Sequence, residues 1–179
     1  MKIEDNFLDQ KDFEELQKFL MGNMFPWYYN SIIDFYEDED KYQFIHVFYD
    51  NYAPTSSVIE NINPILAKVG PLSIWRIKAN LLTKTSNIIE NEFHVDMSRV
   101  YKDGVEIDSG GQNKLLKQST TSIFYMNTNN GYTKFEDGTK IESVANRLIS
   151  FPSNMKHTGT SCTDEKIRIV INFNYLKIV

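Results

Sequence analysis

The sequence is poor in cysteine and has no long apolar run. Cys162 is the only cysteine, so no disulfide can form within the chain, and an intracellular, reducing setting is expected. Cys162 itself is expected to be a small inert residue, because no arrangement of histidine and acid around it is apparent from the sequence. No apolar run approaches the ~20 residues that span a bilayer, and the first residues lack the basic and apolar parts of a signal peptide. These absences predict a cytoplasmic chain without a membrane segment.

Positive charge is also in short supply. Lysine and arginine number 19 against 24 aspartates and glutamates, which gives a formal net charge of −5. This balance argues against the phosphate backbone of nucleic acid as the main partner. Hydrophobic residues make up 41% and charged residues 24% of the chain, which is typical of a soluble globular protein. The sequence carries no signal for an oligomeric state.

The first third of the chain predicts a mixture of helices and strands. Residues 8–22 have apolar side chains at helical spacing and a closing glycine. Residues 56–70 repeat this pattern behind a serine cap, with Pro64 either kinking the helix or marking a late start. Between the helices, the aromatic-rich runs 25–36 and 42–50 favour antiparallel strands joined by an acidic turn.

From residue 73 onward, short apolar runs alternate with turns rich in glycine, asparagine and proline. The expected strands cover residues 73–85, 120–129, 132–141, 144–152 and 166–176. Regular spacing of this kind is typical of a sandwich or barrel. We therefore expect one domain, 1–179, in which residues 1–73 support a β core made by residues 74–179. The polar stretch 101–119 is expected to be a long loop that closes over a site as a lid.

The last expected strand has two contrasting faces. One face is apolar and is expected to lie in the core. The other carries Arg168, Val170, Asn172 and Asn174. Two interpretations stay open for this second face, because polar side chains on a strand either meet solvent or line a polar cavity inside a barrel.

Residues 91–100, NEFHVDMSRV, resemble a strand and place His94 two residues before Asp96. Residues i and i+2 of a strand point to the same side, so both side chains can bind one ion. His157, which follows a strand, is the candidate third ligand, whereas His46 lies inside an aromatic strand and is expected to be structural. Two imidazoles and one carboxylate on a single face form the 2-His-1-carboxylate arrangement of non-haem Fe(II) oxygenases.

Arg168 lies 11 residues after His157 (168 − 157) on the last expected strand. A guanidinium there can hold a carboxylate in a two-pronged pair worth roughly 1.5–3 kcal/mol. Tyr125 can add a hydroxyl to the same carboxylate. A diacid that chelates iron at one end and meets Arg168 at the other would be 2-oxoglutarate.

These segments together resemble the Fe(II)/2-oxoglutarate-dependent oxygenases, in the prolyl-hydroxylase-like branch. The matching pieces are FHVD, FYMN, GYTKFEDG and SFPSNMKHTGT with KIRIVINFNY. The resemblance covers residues 74–176 and reaches the first 73 residues only in outline. It implies a mainly β fold, the double-stranded β-helix or jelly roll (cupin-like), with supporting helices on one sheet.

The resemblance also implies a ligand set for the metal and for its cosubstrate. Fe(II) would be held by His94, Asp96 and His157, the residues expected to be catalytic. The distal carboxylate of 2-oxoglutarate would be bound by Arg168, with Tyr125 as its hydrogen-bonding companion.

Two further residues are weaker candidates for contact with 2-oxoglutarate. Asn80 lies on the strand before the metal motif, and Asn172 lies farther along the inward face of the Arg168 strand. The chain departs from a related pattern, Arg-x-Ser, because position 170 holds valine. The carboxylate pocket must therefore be completed differently, which Tyr125 can do.

The implied activity is a dioxygenase reaction that consumes O2, hydroxylates a C–H bond and releases succinate and CO2. The substrate is expected to be a peptide or a small molecule, with a peptidyl side chain as the first expectation because the branch contains prolyl hydroxylases. Two alternatives stay open. One is a jelly-roll binding module without catalysis, and the other is a cupin-like metalloenzyme that does not use 2-oxoglutarate.

Overall fold

The structure is a computed structural model that describes residues 1–33, 41–96, 101–102, 105–106 and 117–177. Strands dominate, as the sequence predicts. In chain order the elements are β1 Lys2–Glu4, α1 Gln10–Leu20, β2 Tyr28–Asn30, β3 Gln43–Asp50, β4 Ala53–Pro54, a 3-10 turn Ile59–Ile62, α2 Asn63–Val69, β5 Ser73–Thr83, β6 Tyr101–Lys102, β7 Val105–Glu106, β8 Ser119–Tyr125, β9 Tyr132–Phe135, β10 Lys140–Glu142, β11 Arg147–Pro152, β12 His157–Gly159 and β13 Ile167–Leu176.

Both expected helices form, each with one apolar face buried. In α1 that face consists of Phe13, Leu16 and Leu20. Helix α2 starts late, with Pro64 in its first turn, where a missing backbone N–H costs nothing, and it ends at Gly70 with φ of 62°. The expected serine cap does not form, because the helical segment begins as a 3-10 turn without a side-chain cap bond.

The larger sheet is antiparallel and has the strand order β1-β11-β8-β13-β5-β3-β2, with β4 added to β3. Its long central strands, β13 and β5, are paired along almost their whole length. One face of β13 packs against the helices through Ile169, Ile171 and Phe173, which share a buried cluster with residues of α1 and α2. Burial of this apolar face, at about 25 cal/mol per Å², fixes which side of β13 is turned away from the helices.

A smaller sheet, with the order β10-β9-β12, faces the other side of the large one. A second apolar cluster, including Ile123, Tyr125, Phe135 and Phe151, fills part of the space between the sheets. Two isolated bridges, one of them between His94 and His157, align the chain before the metal motif with β12. Two stacked antiparallel sheets with helices on one outer face form the expected double-stranded β-helix.

Several local expectations need correction. The segment 91–96 is not a regular strand, because its backbone makes only a bridge at His94 and turns at Asp96. Strand β1 had no sequence signal and forms because its three residues pair with β11 at the sheet edge. Within residues 25–33, the described part of the aromatic run 25–36, strand β2 covers Tyr28–Asn30.

Two expectations fall mostly outside the described residues. The acidic turn before β3 is one of them. The lid expected over 101–119 is the other, since only the short hairpin of β6 and β7 and the approach to β8 are described there. Within the described part of the chain, none of the helices has the length and apolar composition required to cross a bilayer.

Candidate metal centre

The three expected ligands, His94, Asp96 and His157, meet at one point between the two sheets. Their ligating atoms all lie within 4.8 Å of one another. Asp96 Oδ1 is 3.6 Å from Nε2 of His94, and Asp96 Oδ2 is 4.0 Å from Nε2 of His157. The backbones of the two histidines exchange a pair of 3.0 Å hydrogen bonds, which brings their rings to 5.0 Å between centroids. Residues 63 positions apart (157 − 94) are thus joined directly by the bridge between the loop and β12.

Both imidazoles present a lone pair to this point. Nδ1 of His157 lies 3.2 Å from the carbonyl oxygen of Met155, and Nδ1 of His94 lies 3.0 Å from that of Glu92. A carbonyl only accepts, so each Nδ1 carries the hydrogen and each Nε2 is left as an acceptor or metal ligand. Nε2 of His157 is buried without a hydrogen-bond partner, and such an atom fits a bound cation.

The charges at this point also suit a divalent cation. Burial alone would raise the pKa of Asp96, but the neighbouring imidazole of His94, 3.6 Å from Oδ1, together with His157 and Arg76 holds that pKa well below its usual range. Burial lowers the pKa of His157, against the opposing effect of the Asp96 carboxylate. One ionised carboxylate and a neutral buried imidazole are therefore the forms present near neutral pH, and both are metal-binding forms.

A row of polar side chains supports Asp96 from the large sheet. The register of β8, β13 and β5 places Thr121, Asn174 and Arg76 side by side. Asn174 Nδ2 donates to Asp96 Oδ2 at 3.0 Å and to Thr121 Oγ1 at 3.1 Å. The Thr121 hydroxyl donates onward to Ser153 at 2.9 Å. Arg76 donates to the Asp96 carbonyl at 3.2 Å and lies 3.5 Å from Oδ1.

Arg168 occupies the same cavity and is 3% exposed. Its Nε donates to the hydroxyl of Ser143 at 2.9 Å, and its guanidinium carbon lies 5.8 Å from the ring centre of Tyr125. No carboxylate of the described residues forms an ion pair with it. Burial lowers the pKa of Arg168, with Tyr125 and Cys162 opposing that effect. A buried cation without an anion is costly, so this end of the cavity fits an anionic ligand.

Gly131 makes room for the arginine. A Cβ at this position would lie 2.7 Å from Arg168 Cδ and 2.7 Å from the carbonyl oxygen of Ser161. The second of these atoms is backbone and cannot rotate away. Only glycine therefore allows the stem of Arg168 to pass between the loop and the sheet.

Tyr125 stands behind the cavity wall. Its side chain is fully buried, and its hydroxyl donates to Thr133 Oγ1 at 2.7 Å. Burial raises the pKa of Tyr125, while Arg168 and Thr133 act in the opposite direction. Thr133 itself lines the cavity, a position that sequence reasoning missed. A direct bond from Tyr125 to a ligand stays a prediction.

The remaining residues of the polar face line the cavity as well. Asn80 on β5 and Val170 and Asn172 on β13 form its wall between the metal point and Arg168. The cavity interpretation of the second face of β13 is therefore right, and the solvent interpretation is wrong. Asn172 Oδ1 is buried without a hydrogen-bond partner, so it has an unused acceptor in the wall.

The third histidine has a structural environment, as expected. Nδ1 of His46 donates to the carbonyl of Pro26 at 2.8 Å, and Nε2 accepts from the hydroxyl of Ser56 at 2.7 Å. The ring packs against Phe25 and Phe48. Both nitrogens are satisfied, and neither is available to a metal.

Comparison with known proteins gives a match at the level of structure. No family model and no curated protein matches the sequence. A prolyl hydroxylase from Trichoplax adhaerens, in complex with a peptide fragment of the hypoxia inducible factor oxygen degradation domain, superposes with a TM-score of 0.67 at 13% identity, over 98% of this chain and 82% of that one. An oxidoreductase of the 2OG-Fe(II) oxygenase family from Burkholderia pseudomallei gives 0.58 at 12% identity, over 92% and 78%.

The chain shares its fold with these solved structures. HygX from Streptomyces hygroscopicus, solved with nickel and 2-oxoglutarate bound, also matches, with a TM-score of 0.58 at 10% identity over 97% of this chain and 81% of that one. The double-stranded β-helix expected from the sequence is thereby confirmed. The TM-scores of 0.58–0.67 show a shared fold, and identities of 10–13% do not select the prolyl-hydroxylase branch.

Proposed function

We propose that the protein is an Fe(II)- and 2-oxoglutarate-dependent dioxygenase that hydroxylates a C–H bond. One observation carries the proposal: a single cavity has a site suited to a cation at one end and a site suited to an anion at the other. At one end His157 Nε2 lacks a partner beside the ionised Asp96, and at the other the buried Arg168 lacks an anion. A metal chelated by a diacid completes both ends at once.

The residues present fit these two groups. His94, Asp96 and His157 would hold Fe(II) and leave about three of six octahedral positions open. Arg168 would hold the distal carboxylate of 2-oxoglutarate, with Thr133 and Asn172 as further polar groups along the wall. When bound with O2, iron and 2-oxoglutarate supply the oxidation, in which one oxygen atom enters succinate as CO2 leaves and the other enters the substrate C–H bond.

The chain contributes orientation, charge and the exclusion of water. The backbone carbonyls behind His94 and His157 fix both imidazoles with Nε2 toward the metal. Ile123 and Val170 line the cavity with apolar surface, which keeps water from the bound groups. With valine at 170, the carboxylate pocket would draw its hydroxyl from β9 of the smaller sheet, where Thr133 lies.

The proposed substrate is a peptidyl side chain or a small molecule. A peptide is supported by the Trichoplax adhaerens structure, which contains a peptide fragment. The formal charge of −5 disfavours a nucleic-acid substrate. A cytoplasmic location, in which Cys162 stays reduced, completes the proposal.

Anaerobic titration tests the class directly. Purified protein receives Fe(II) and then 2-oxoglutarate, and absorbance is followed in the visible range. A weak charge-transfer band is expected only when both are present, followed by succinate release once air is admitted. Failure to take up iron would favour a binding module without catalysis. Iron uptake without the band or succinate would favour a cupin-like metalloenzyme that does not use 2-oxoglutarate.

A further inference from the structure

We propose that Asn174 is a positioning residue that holds the metal ligand Asp96, and that it sets the affinity of the site for a divalent cation. The inference rests on the proposed function, because it assumes that Asp96 binds a metal. Asn174 makes no contact with the other two ligands in the described structure. Its effect would therefore pass through the Asp96 carboxylate alone.

Strand register puts Asn174 in place. It lies on β13, directly opposite Thr121 of β8 on one side and Arg76 of β5 on the other. All three side chains stand on the cavity side of the large sheet. Asp96 reaches this row from the turn after the His94 bridge, where its own backbone has no strand partner. Side-chain contacts with the sheet therefore take the place of a regular ladder at Asp96.

The amide of Asn174 can be oriented in one way only. The carboxylate oxygen Oδ2 of Asp96 lies 3.0 Å from Asn174 Nδ2 and accepts its hydrogen bond. The Thr121 hydroxyl gives its hydrogen to Ser153, so toward Asn174 it too is an acceptor. Both contacts need N–H donors, and Nδ2 has two hydrogens for them. A flipped amide would set its oxygen against the carboxylate.

Deep burial makes this arrangement rigid. Asn174, Thr121 and Ser153 are each 0% exposed, so water cannot replace a lost bond. The amide occupies Oδ2 of Asp96 and leaves Oδ1 directed toward His94, 3.6 Å from its Nε2. Asn174 is neutral, so it holds the carboxylate without adding a second positive charge to that of Arg76, which lies 3.5 Å from Oδ1.

The experiment measures Mn(II) affinity by calorimetry on the full chain, with the metal alone and no 2-oxoglutarate. Asn174→Leu keeps the approximate shape and removes both donors. Mn(II) binding is expected to weaken by roughly 10- to 100-fold, the range typical of losing a partner that orients a metal ligand. Thr121→Val removes the anchor of the amide without touching Asp96, and a smaller loss in the same direction is expected.

The double variant distinguishes a positioning role of Asn174 from a general loss of stability. If Thr121 acts through Asn174, the pair Asn174→Leu with Thr121→Val binds Mn(II) no more weakly than Asn174→Leu alone. Asn127→Leu is the matched control, because Asn127 is another buried asparagine with two hydrogen bonds, to the backbone of Ile167 and Ile169, away from Asp96. It should lower the unfolding temperature and leave Mn(II) affinity unchanged.

Each outcome decides the matter. Wild-type protein that binds Mn(II) together with an Asn174→Leu variant of equal affinity overturns this inference and leaves the proposed function standing. Wild-type protein that binds no Mn(II) overturns the proposed function itself. Thr121→Val decides the question where leucine at 174 prevents folding, since equal affinity in that folded variant contradicts the positioning role.

Discussion

The two ends of the cavity differ in the charge they carry and in whether that charge has a partner within the protein. At the metal end, the Asp96 carboxylate is surrounded by the imidazole of His94, the guanidinium of Arg76 and the amide of Asn174. At the other end, the Arg168 guanidinium has the hydroxyl of Ser143 and an aromatic face, but no carboxylate from the described chain. The acid has its protein partners already, whereas the arginine lacks its main one.

A second arginine shows what a completed pair looks like. Arg147 is paired with Asp5 through two parallel hydrogen bonds, from Nε to Oδ1 at 2.5 Å and from a terminal nitrogen to Oδ2 at 3.0 Å. This pair lies at the surface, where water alone would satisfy both groups. Arg168 is buried and has no such alternative. The comparison teaches that the guanidinium without an anion is the one in the cavity, where a ligand can supply the missing carboxylate.

The largest expected effect comes from breaking the metal end. His157→Ala removes one of the three proposed ligands, and succinate release should fall to background. Mn(II) affinity should fall by more than the ~10- to 100-fold that follows loss of an orienting partner. Calorimetry and a coupled succinate assay check both. Normal turnover in this variant would exclude the triad as the metal site.

His46→Ala provides a histidine control for that result. Its removal leaves the Pro26 carbonyl and the Ser56 hydroxyl without partners and opens a gap beside Phe48. The unfolding free energy should drop by roughly 1–3 kcal/mol. Metal stoichiometry should stay at the wild-type value. Comparison of His46→Ala with His157→Ala therefore distinguishes the loss of a metal ligand from a loss of stability.

The second-largest effect is expected from substitutions of Arg168, at the other end of the cavity. Arg168→Ala should raise KM for 2-oxoglutarate by roughly 10- to 150-fold, which corresponds to the ~1.5–3 kcal/mol of a charge-assisted pair. Arg168→Lys keeps the charge without the two-pronged geometry, so its KM for 2-oxoglutarate should lie between those of the wild type and Arg168→Ala. Mn(II) affinity without the diacid should not change in either variant. An unaltered KM in Arg168→Ala would favour the metalloenzyme that does not use 2-oxoglutarate.

A smaller effect tests how Tyr125 reaches the ligand. Tyr125→Phe removes the donor to Thr133, and Thr133→Val removes the hydroxyl that lines the cavity. Each should raise KM for 2-oxoglutarate less than Arg168→Ala does. Equal, non-additive effects would mean that Tyr125 acts through Thr133. A larger effect of Tyr125→Phe would support the direct contact predicted from the sequence.

The smallest effect concerns the surface pair. The hydrogen bond from Arg147 lowers the pKa of Asp5 from 3.8; burial opposes this effect and the positive charge of Arg147 adds to it. The folded state then binds fewer protons than the unfolded one, so the pair stabilises the protein above that pH and loses its contribution as pH falls below it. Asp5→Asn should cost less than about 1 kcal/mol at pH 7. Urea unfolding at pH 7 and pH 3 should show a smaller difference from wild type in acid.

Most of the β core could be predicted from sequence because its strands have a clear period and clear turns. The candidate ligands and Arg168 could be singled out from sequence because their spacing along the chain has a chemical meaning, and the structure places them around one cavity. Alternation alone could not decide where the polar face of β13 points, since a strand lining a cavity and a strand facing water have the same pattern. Only the second sheet, closing over that face, makes it interior.

Residues that act through cross-strand register were missed for a different reason. Arg76 and Asn174 are distant in sequence and become neighbours only when β5 and β13 pair in one register. A faint signal existed, because Arg76, Lys78 and Asn80 alternate with apolar residues on a strand expected in the core. Thr133 was missed because the partner of a tyrosine hydroxyl depends on packing between sheets. The one-domain organisation and the cytoplasmic location stay predictions.

A substitution at Gly131 would change the position of the Arg168 side chain without changing any charge in the cavity. The missing side chain of Gly131 is the space through which Arg168 extends, and the Ser161 carbonyl closes the other side. Alanine there would displace the arginine stem while every ionisable group in the cavity kept its identity. The residue at position 131 therefore sets how far the guanidinium extends into the cavity. Through that distance it also sets the length of diacid that the pocket prefers, although it takes no part in the reaction.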